Sequence, residues 1–271
     1  MRFIITACLC LFILLLVTAC ASVPITGRQQ LQLVPTGTLL SMSNQQYSEF
    51  LDQHELSDDE EQVQMVKDVG NKIAAAVEQY LVEEGLEEEI ENYDWEFHLV
   101  EDEAVNAFAM PGGKVVIFTG IMPVAENENG LAVIMGHEIA HVVANHGNER
   151  MSQGLLTQFG GIALATALRD YPATTQSLFM AAYGAGAQIG VLLPYSRLHE
   201  SEADHLGLIF MAIAGYDPRE APRFWERMSA KKQNAAPPEF LSTHPADQRR
   251  IENLEELLPE AMEYYRKGAG N

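Results

Sequence analysis

Apolar residues recur at intervals of three and four after Asp58. Val63, Val66, Val69, Ile73, Val77 and Leu81 form one stripe on an otherwise charged stretch, which predicts a long amphipathic helix. The period then changes. Trp95 to Val100 alternates apolar and polar positions, and Lys114 to Thr119 is a short β-rich run, so two or three strands follow the helix. Asn106 to Met110 lies between them, and Pro111-Gly112-Gly113 reads as a turn that folds the second strand back antiparallel to the first. Beyond Gly120 the pattern is helical, over roughly 128–147, 150–168, 174–192, 196–214, 218–231 and from 245 onward. A small antiparallel sheet embedded in many helices predicts a mostly helical α+β fold, and no internal repeat or second core interrupts it.

The N-terminus changes the picture of where this domain sits. Arg2 precedes an apolar run from Ile4 to Val17, shorter than the roughly 20 residues a spanning helix needs, and Val17-Thr18-Ala19-Cys20 reads as a lipobox. The expected organisation is a lipoprotein signal peptide over 1–19, lipid attachment at Cys20, a tether and linker over 20–45, and one domain over 46–271. From Ala21 to about Gly37 the chain shows no apolar periodicity, which fits a tether. All 3 cysteines lie at or before the proposed lipid site, leaving none for a disulfide or a thiol nucleophile. The formal net charge is −21, or −22 once Arg2 is lost with the signal peptide, and it argues against a nucleic-acid partner. Residues 171–196 carry no formal charge, and Leu178 to Leu193 is largely apolar. The stretch is short for a span, and Gln188 with Gly184, Gly186 and Gly190 predicts a tightly packed buried helix rather than a membrane contact.

The chemistry is concentrated in His137-Glu138-Ile139-Ala140-His141, within a helical run. Histidines four apart differ by about 40° around a helix axis, so both imidazoles face one way and can share one Zn²⁺. Glu138 then stands beside the metal as general base for the hydrolytic water. A catalytic zinc site needs a third protein ligand. The metzincin continuation is excluded because Ala144 and Gly147 replace its glycine and histidine. His146, about 140° further round the helix, reads as a helix-end histidine. The best donor is the segment Ser196 to Asp204, in which Glu200 and Asp204 share a helix face; geometry alone does not rank Glu200 over Glu202.

Four segments together carry a family likeness: Asn106-Ala-Phe-Ala-Met-Pro-Gly-Gly113, the His-Glu-Ile-Ala-His helix, Ser196-Arg-Leu-His-Glu-Ser-Glu-Ala-Asp204, and Thr243-His-Pro-Ala-Asp-Gln-Arg-Arg-Ile251. In order and spacing the chain resembles the zinc metalloendopeptidases that include HtpX, BepA, LoiP and the CAAX prenyl proteases, as a lipoprotein member. The resemblance implies a zincin-type domain with one Zn²⁺ per chain, Glu200 as third ligand beside His137 and His141, Asp204 behind a zinc-binding histidine, and Glu202 at the surface. It implies that the strand carrying Asn106, Ala107, Phe108 and Ala109 borders the cleft and pairs with an extended substrate. His244 and Arg250 are expected to approach the metal as catalytic residues. His244 has two readings, as oxyanion stabiliser or as a fourth metal ligand that silences the enzyme.

What the resemblance implies for function is hydrolysis of unfolded or misfolded envelope proteins, with outer-membrane assembly machinery as a partner. Ala21 after the lipidated cysteine points to the periplasmic face of the outer membrane. The rival expectation is a chaperone-like assembly factor with a closed, inhibited zinc site, for which Glu138 would be dispensable.

Overall fold

The structure, a computed structural model, describes residues 20–24, 26–231, 238–245 and 247–268. The signal-peptide reading of residues 1–19 and the side chain of Cys20 lie outside what it describes. Strands β1 (Cys20–Ser22) and β2 (Gln29–Leu31) form an antiparallel hairpin. Helices α1 (Thr36–Gln53) and α2 (Glu60–Glu83) follow. Next come β3 (Glu96–Val100), β4 (Ala107–Met110), β5 (Lys114–Phe118) and the short α3 (Met122–Ala125). The remainder is helical: α4 (Glu128–Val143), α5 (His146–Leu168), α6 (Ala173–Ala187), α7 (Leu193–Ile213), α8 (Glu220–Lys231), the one-turn α9 (Phe240–Thr243) and α10 (Gln248–Gly268).

The stripe on α2 is buried at Val66, Val69, Ile73, Val77 and Leu81, and Asp59 caps the helix by accepting from the Gln62 amide at 3.1 Å. Its apolar face covers Phe97, Val115 and Ile117 on one side of the sheet. Helix α1 covers the other side, where Tyr47 meets Val100, Val116 and Phe118. A strand covered on both faces is buried at every position, as Lys114 to Phe118 are. The cost of burying Lys114 is offset by Asp94 and Glu96, each 2.6 Å from its ammonium.

Strand order is β3-β5-β4, and this corrects the expected pairing. The Pro111–Gly113 turn does make a hairpin, but it joins β4 to β5; the Trp95–Val100 strand pairs with β5 in parallel. Strand β4 takes the antiparallel place beside β5, so β3 reaches β5 by crossing over. The sheet is therefore mixed, and β4 is its edge. Gly112 and Gly113 hold φ of 89° and 90°, and a Cβ on Gly113 would lie 2.5 Å from the Trp95 ring.

Helix α4 is the centre of the molecule, buried on nearly every side and capped by the Asn127 side chain, which accepts from the amides of Asn129 and Gly130. It crosses α7 where Gly136 faces Gly207, so the two backbones touch.

Two stretches differ from expectation. The segment after Cys20 is not a free tether: it docks on α5, where the Leu33 amide donates to Ser152 at 2.8 Å and the Asn148 side chain donates to the Val34 carbonyl at 2.8 Å. Short strands with backbone pairing need no apolar stripe, so periodicity missed them. The uncharged region 171–196 is not buried. Helices α5 and α6 pack on each other through Gly160 and Gly161 against Tyr183, leaving Phe159, Ile162, Tyr171, Leu178, Phe179 and Ile189 exposed. Gly160 and Gly161 serve that local crossing, while a Cβ on Gly184, Gly186 or Gly190 would meet nothing within 4 Å among the described residues.

Candidate active site

Helix α4 presents His137 and His141 on one face, their Nε2 atoms 3.1 Å apart. Helix α7 crosses at the glycine contact and brings Glu200 between them, with Oε2 3.2 Å from His137 Nε2 and Oε1 3.4 Å from His141 Nε2. His244, at the end of α9, adds its Nδ1 at 3.0 Å from His137 Nε2 and 2.9 Å from Glu200 Oε2. These four ligand atoms all lie within 4.8 Å of one another, and all four residues are buried. Imidazole nitrogens and a carboxylate converging on one point suit zinc. Each α4 histidine also has its other ring nitrogen engaged, which frees Nε2 to face an ion: His137 Nδ1 is 3.0 Å from Asp204 Oδ1, and His141 Nδ1 is 2.8 Å from His146 Nδ1.

Glu138 sits beside this cluster. Its Oε2 accepts the Ala109 amide of edge strand β4 at 3.1 Å, while Oε1 is buried with no hydrogen bond among the described residues and with His244 Nε2 3.4 Å away. Burial pushes its carboxyl up, with His244 and His137 pulling partly the other way. A carboxylate so held has one oxygen fixed and the other ready to take a proton. Burial likewise opposes the charge on Glu200, yet His137, His141 and His244 hold its carboxyl well below the usual range.

Asp204 orients His137 and is itself gripped by Arg250, whose Nε and Nη2 donate to the two Asp204 oxygens at 2.8 and 2.6 Å. The Arg250 guanidinium stacks 3.4 Å from the Trp225 ring centroid. Arg250 does not line the cleft, but its Nη1 lies 3.3 Å from Glu200 Oε2, so it reaches the ligand cluster from behind His137. Trp225 carried no signal that pattern reading could use, since it looks like any core aromatic of an amphipathic helix.

Two expectations are overturned here. His146 is not an idle helix-end residue, and Glu202 is not a surface one; their exposures are 2 % and 6 %. Asn145 adopts a left-handed conformation, φ 54°, which breaks the helix after α4 and folds His146 back onto His141. His146 Nε2 lies 3.0 Å from Glu202 Oε2. His141 is therefore backed by a histidine and a carboxylate, as His137 is backed by Asp204 and Arg250. The alternation Glu200, Glu202, Asp204 in a helix places Glu202 off the shared face, and only the left-handed break explains what it meets.

The cleft in front of the donors encloses about 340 Å³, lined by Leu39, Asn106 to Ala109, Glu138, His141, Val142, Asn145, Thr243 and His244 among others. Strand β4, with one edge unpaired among the described residues, forms its rim. All four sequence segments thus meet at one place.

Comparison with known proteins agrees with this geometry. The mitochondrial metalloendopeptidase OMA1 of Schizosaccharomyces pombe is 40% identical over 169 residues, covering 62% of this chain and 48% of its own. Human OMA1 is 30% identical over 261 residues, covering 93% of this chain and 48% of its own. The beta-barrel assembly-enhancing protease of Escherichia coli K12 is 31% identical over 165 residues, covering 57% and 32%. The chain spans about half or less of the length of these relatives. The description of peptidase family M48 matches residues 68–258, a span that holds β4, both donor helices, His244 and Arg250, and the chain belongs to peptidase family M48.

Proposed function

We propose that the chain is a zinc-dependent endopeptidase that cuts unfolded or misfolded proteins of the cell envelope. The observation that carries this reading is the meeting of His137, His141 and Glu200 at the cleft, with Glu138 Oε1 beside them, held by no hydrogen bond among the described residues. Zinc held there would supply Lewis-acid polarisation of the scissile carbonyl and acidify the attacking water. Strand β4 has no strand on its outer edge among the described residues; with the Ala107 and Ala109 amides held by the Asn106 and Glu138 side chains, an extended substrate would bond chiefly to its carbonyls, and backbone bonding gives affinity without strict sequence demand. Glu138 takes the proton of the water at Oε1 and passes it to the leaving amine, while Oε2 stays anchored on the Ala109 amide. Asp204 fixes the His137 ring, and Arg250 holds Asp204 while its Nη1 stands 3.3 Å from Glu200 Oε2. The test is hydrolysis of casein by the metal-stripped chain before and after zinc is restored; activity that survives stripping, or never returns with zinc, sinks the reading.

His244 supports a second reading. Its Nδ1 stands as close to Glu200 as a ligand would, so it can close the position that a catalytic site keeps open. The chain would then be a latched protease, or an assembly factor whose zinc is structural. Indifference of every measurable activity to Glu138→Gln would favour the assembly factor.

For location we propose attachment to a membrane through lipidated Cys20, at the periplasmic face of the outer membrane. The exposed apolar faces of α5 and α6 support a membrane-facing surface. The docked N-terminal hairpin packs on α5, and its Gln29 and Leu31 line one pocket with Leu156, Tyr183 and Val191. Flotation of the non-lipidated chain with phospholipid vesicles tests the surface: Leu178→Asp with Phe179→Asp should abolish it, and undiminished flotation of that variant contradicts the assignment.

A further inference from the structure

Arg28, on the N-terminal hairpin, reaches across the chain to two buried carboxylates. Its Nη1 and Nη2 donate to the two oxygens of Glu149 at 3.0 and 2.7 Å, and its Nε donates to Glu202 Oε2 at 2.9 Å. Thr26, two residues earlier, donates its hydroxyl to the other Glu202 oxygen. The side chains of Glu149 and Glu202 are 2 % and 4 % exposed. Glu149 also meets His199 Nε2 at 2.9 Å, and the His199 ring stacks on His146 with centroids 4.3 Å apart. The hairpin therefore ends in the polar network behind His141.

The chemistry of that network runs in one direction. If His141 turns the Nε2 lone pair to a metal, its proton sits on Nδ1 and is donated to His146 Nδ1, which must accept. The His146 proton then sits on Nε2, where Glu202, an acceptor only, receives it. A Glu202 carboxylate that rotated away would leave His146 free to turn its donor toward His141, and His141 would lose its metal-binding tautomer. What prevents rotation is the fixed fork of Arg28 together with Thr26, since a guanidinium holds two carboxylates at set angles where a point charge would not.

We propose that Arg28 is a positioning residue for the metal centre, acting through Glu202 and His146 on His141, so that the site is complete only with the N-terminal hairpin docked. This rests on the zinc reading of the site. It gives a segment only eight positions past Cys20 a part in holding the metal.

The experiment is chelator competition for zinc with the full metal-stripped chain, as wild type, Arg28→Gln, Glu202→Gln and the double variant, beside thermal melting of each metal-free form. Loss of a group that supports a metal ligand weakens affinity by 10–100-fold, and Arg28→Gln is expected at the lower end, about 10-fold. In the Glu202→Gln background the same change should alter zinc affinity by no more than about twofold, because a neutral amide, which can donate as well as accept, no longer fixes the His146 tautomer. Arg28→Lys, which keeps charge but not the fork, should fall between wild type and Arg28→Gln, and it serves if the glutamine variant does not fold. A folded Arg28→Gln or Arg28→Lys chain with wild-type zinc affinity overturns the proposal, as does a double variant whose loss is the product of the two single losses. A wild type that binds no zinc overturns the zinc reading as well, which separates the two failures.

Discussion

The contact between Gly136 and Gly207 sets how closely the two donor helices approach, and Gly207→Ala tests whether that approach sets the metal site. A Cβ at Gly207 would lie 2.9 Å from the Gly136 carbonyl carbon and from the His137 amide nitrogen. Carbon atoms pack best at about 3.5–4.0 Å, so α7 must retreat by roughly 0.6–1 Å, because both obstacles are backbone. Gly207 is seven residues beyond Glu200, on the same helix face and about 10 Å along the axis, so Glu200 moves with it. Productive sites hold their groups within about 0.5 Å, and a misplacement near 1 Å costs up to about 100-fold in rate. Overpacking the crossing should also destabilise the fold by about 1–3 kcal/mol. Gly154→Ala is the control: it lies in exposed α5 with nothing within 4 Å of its Cβ. The same substitution there should add about 0.5–1 kcal/mol of stability. Urea melts of the metal-free chains, zinc competition and casein hydrolysis read the outcome. A Gly207→Ala chain with wild-type zinc affinity and turnover would refute the idea that this crossing positions the site.

Two other predictions follow from the same geometry. His244→Ala should raise casein cleavage at saturating zinc if His244 closes the fourth position; weaker cleavage rules out self-inhibition and leaves the oxyanion role, and unchanged cleavage rules out both. Metal-free stability should fall as acid is added. Burial works against the charge of Glu202, yet His146, Arg28 and Thr26 pull its carboxyl down from 4.5 to about 2. A depressed carboxyl stabilises the fold fully above its unfolded value, so this contribution should fade from pH 4.5 toward pH 2, and Glu149 is shifted the same way. Glu202→Gln should flatten the urea midpoint across that window, and equal slopes for both chains would contradict the assignment.

The sequence read well wherever one short segment carried its own periodicity or spacing. The α2 stripe, the helical order after Gly120 and the pairing of His137 with His141 all depend on contacts within a few residues. What stayed hidden depended on chain reversals. The parallel pairing of β3 with β5 follows from β4 taking the outer edge and β5 the middle of the sheet, which alternation cannot reveal because period two is the same for either direction. His146 and Glu202 looked idle because the left-handed Asn145, not helix geometry, brings one to the other. Arg28 stood in a stretch without apolar pattern, and its partners are 121 and 174 residues away. The uncharged arm 171–196 shows the opposite failure. Its glycines and glutamine suggested a buried helix, but composition does not say whether apolar residues face protein or something else.

The central claim is tested most directly by casein cleavage with the zinc-loaded chain from residue 21 to 271, beside its Glu138→Gln variant at equal zinc content. The account predicts cutting by the wild type and a loss of at least about 100-fold in the variant, since Glu138 is placed to take the proton of the water. Equal cutting by both chains would contradict it.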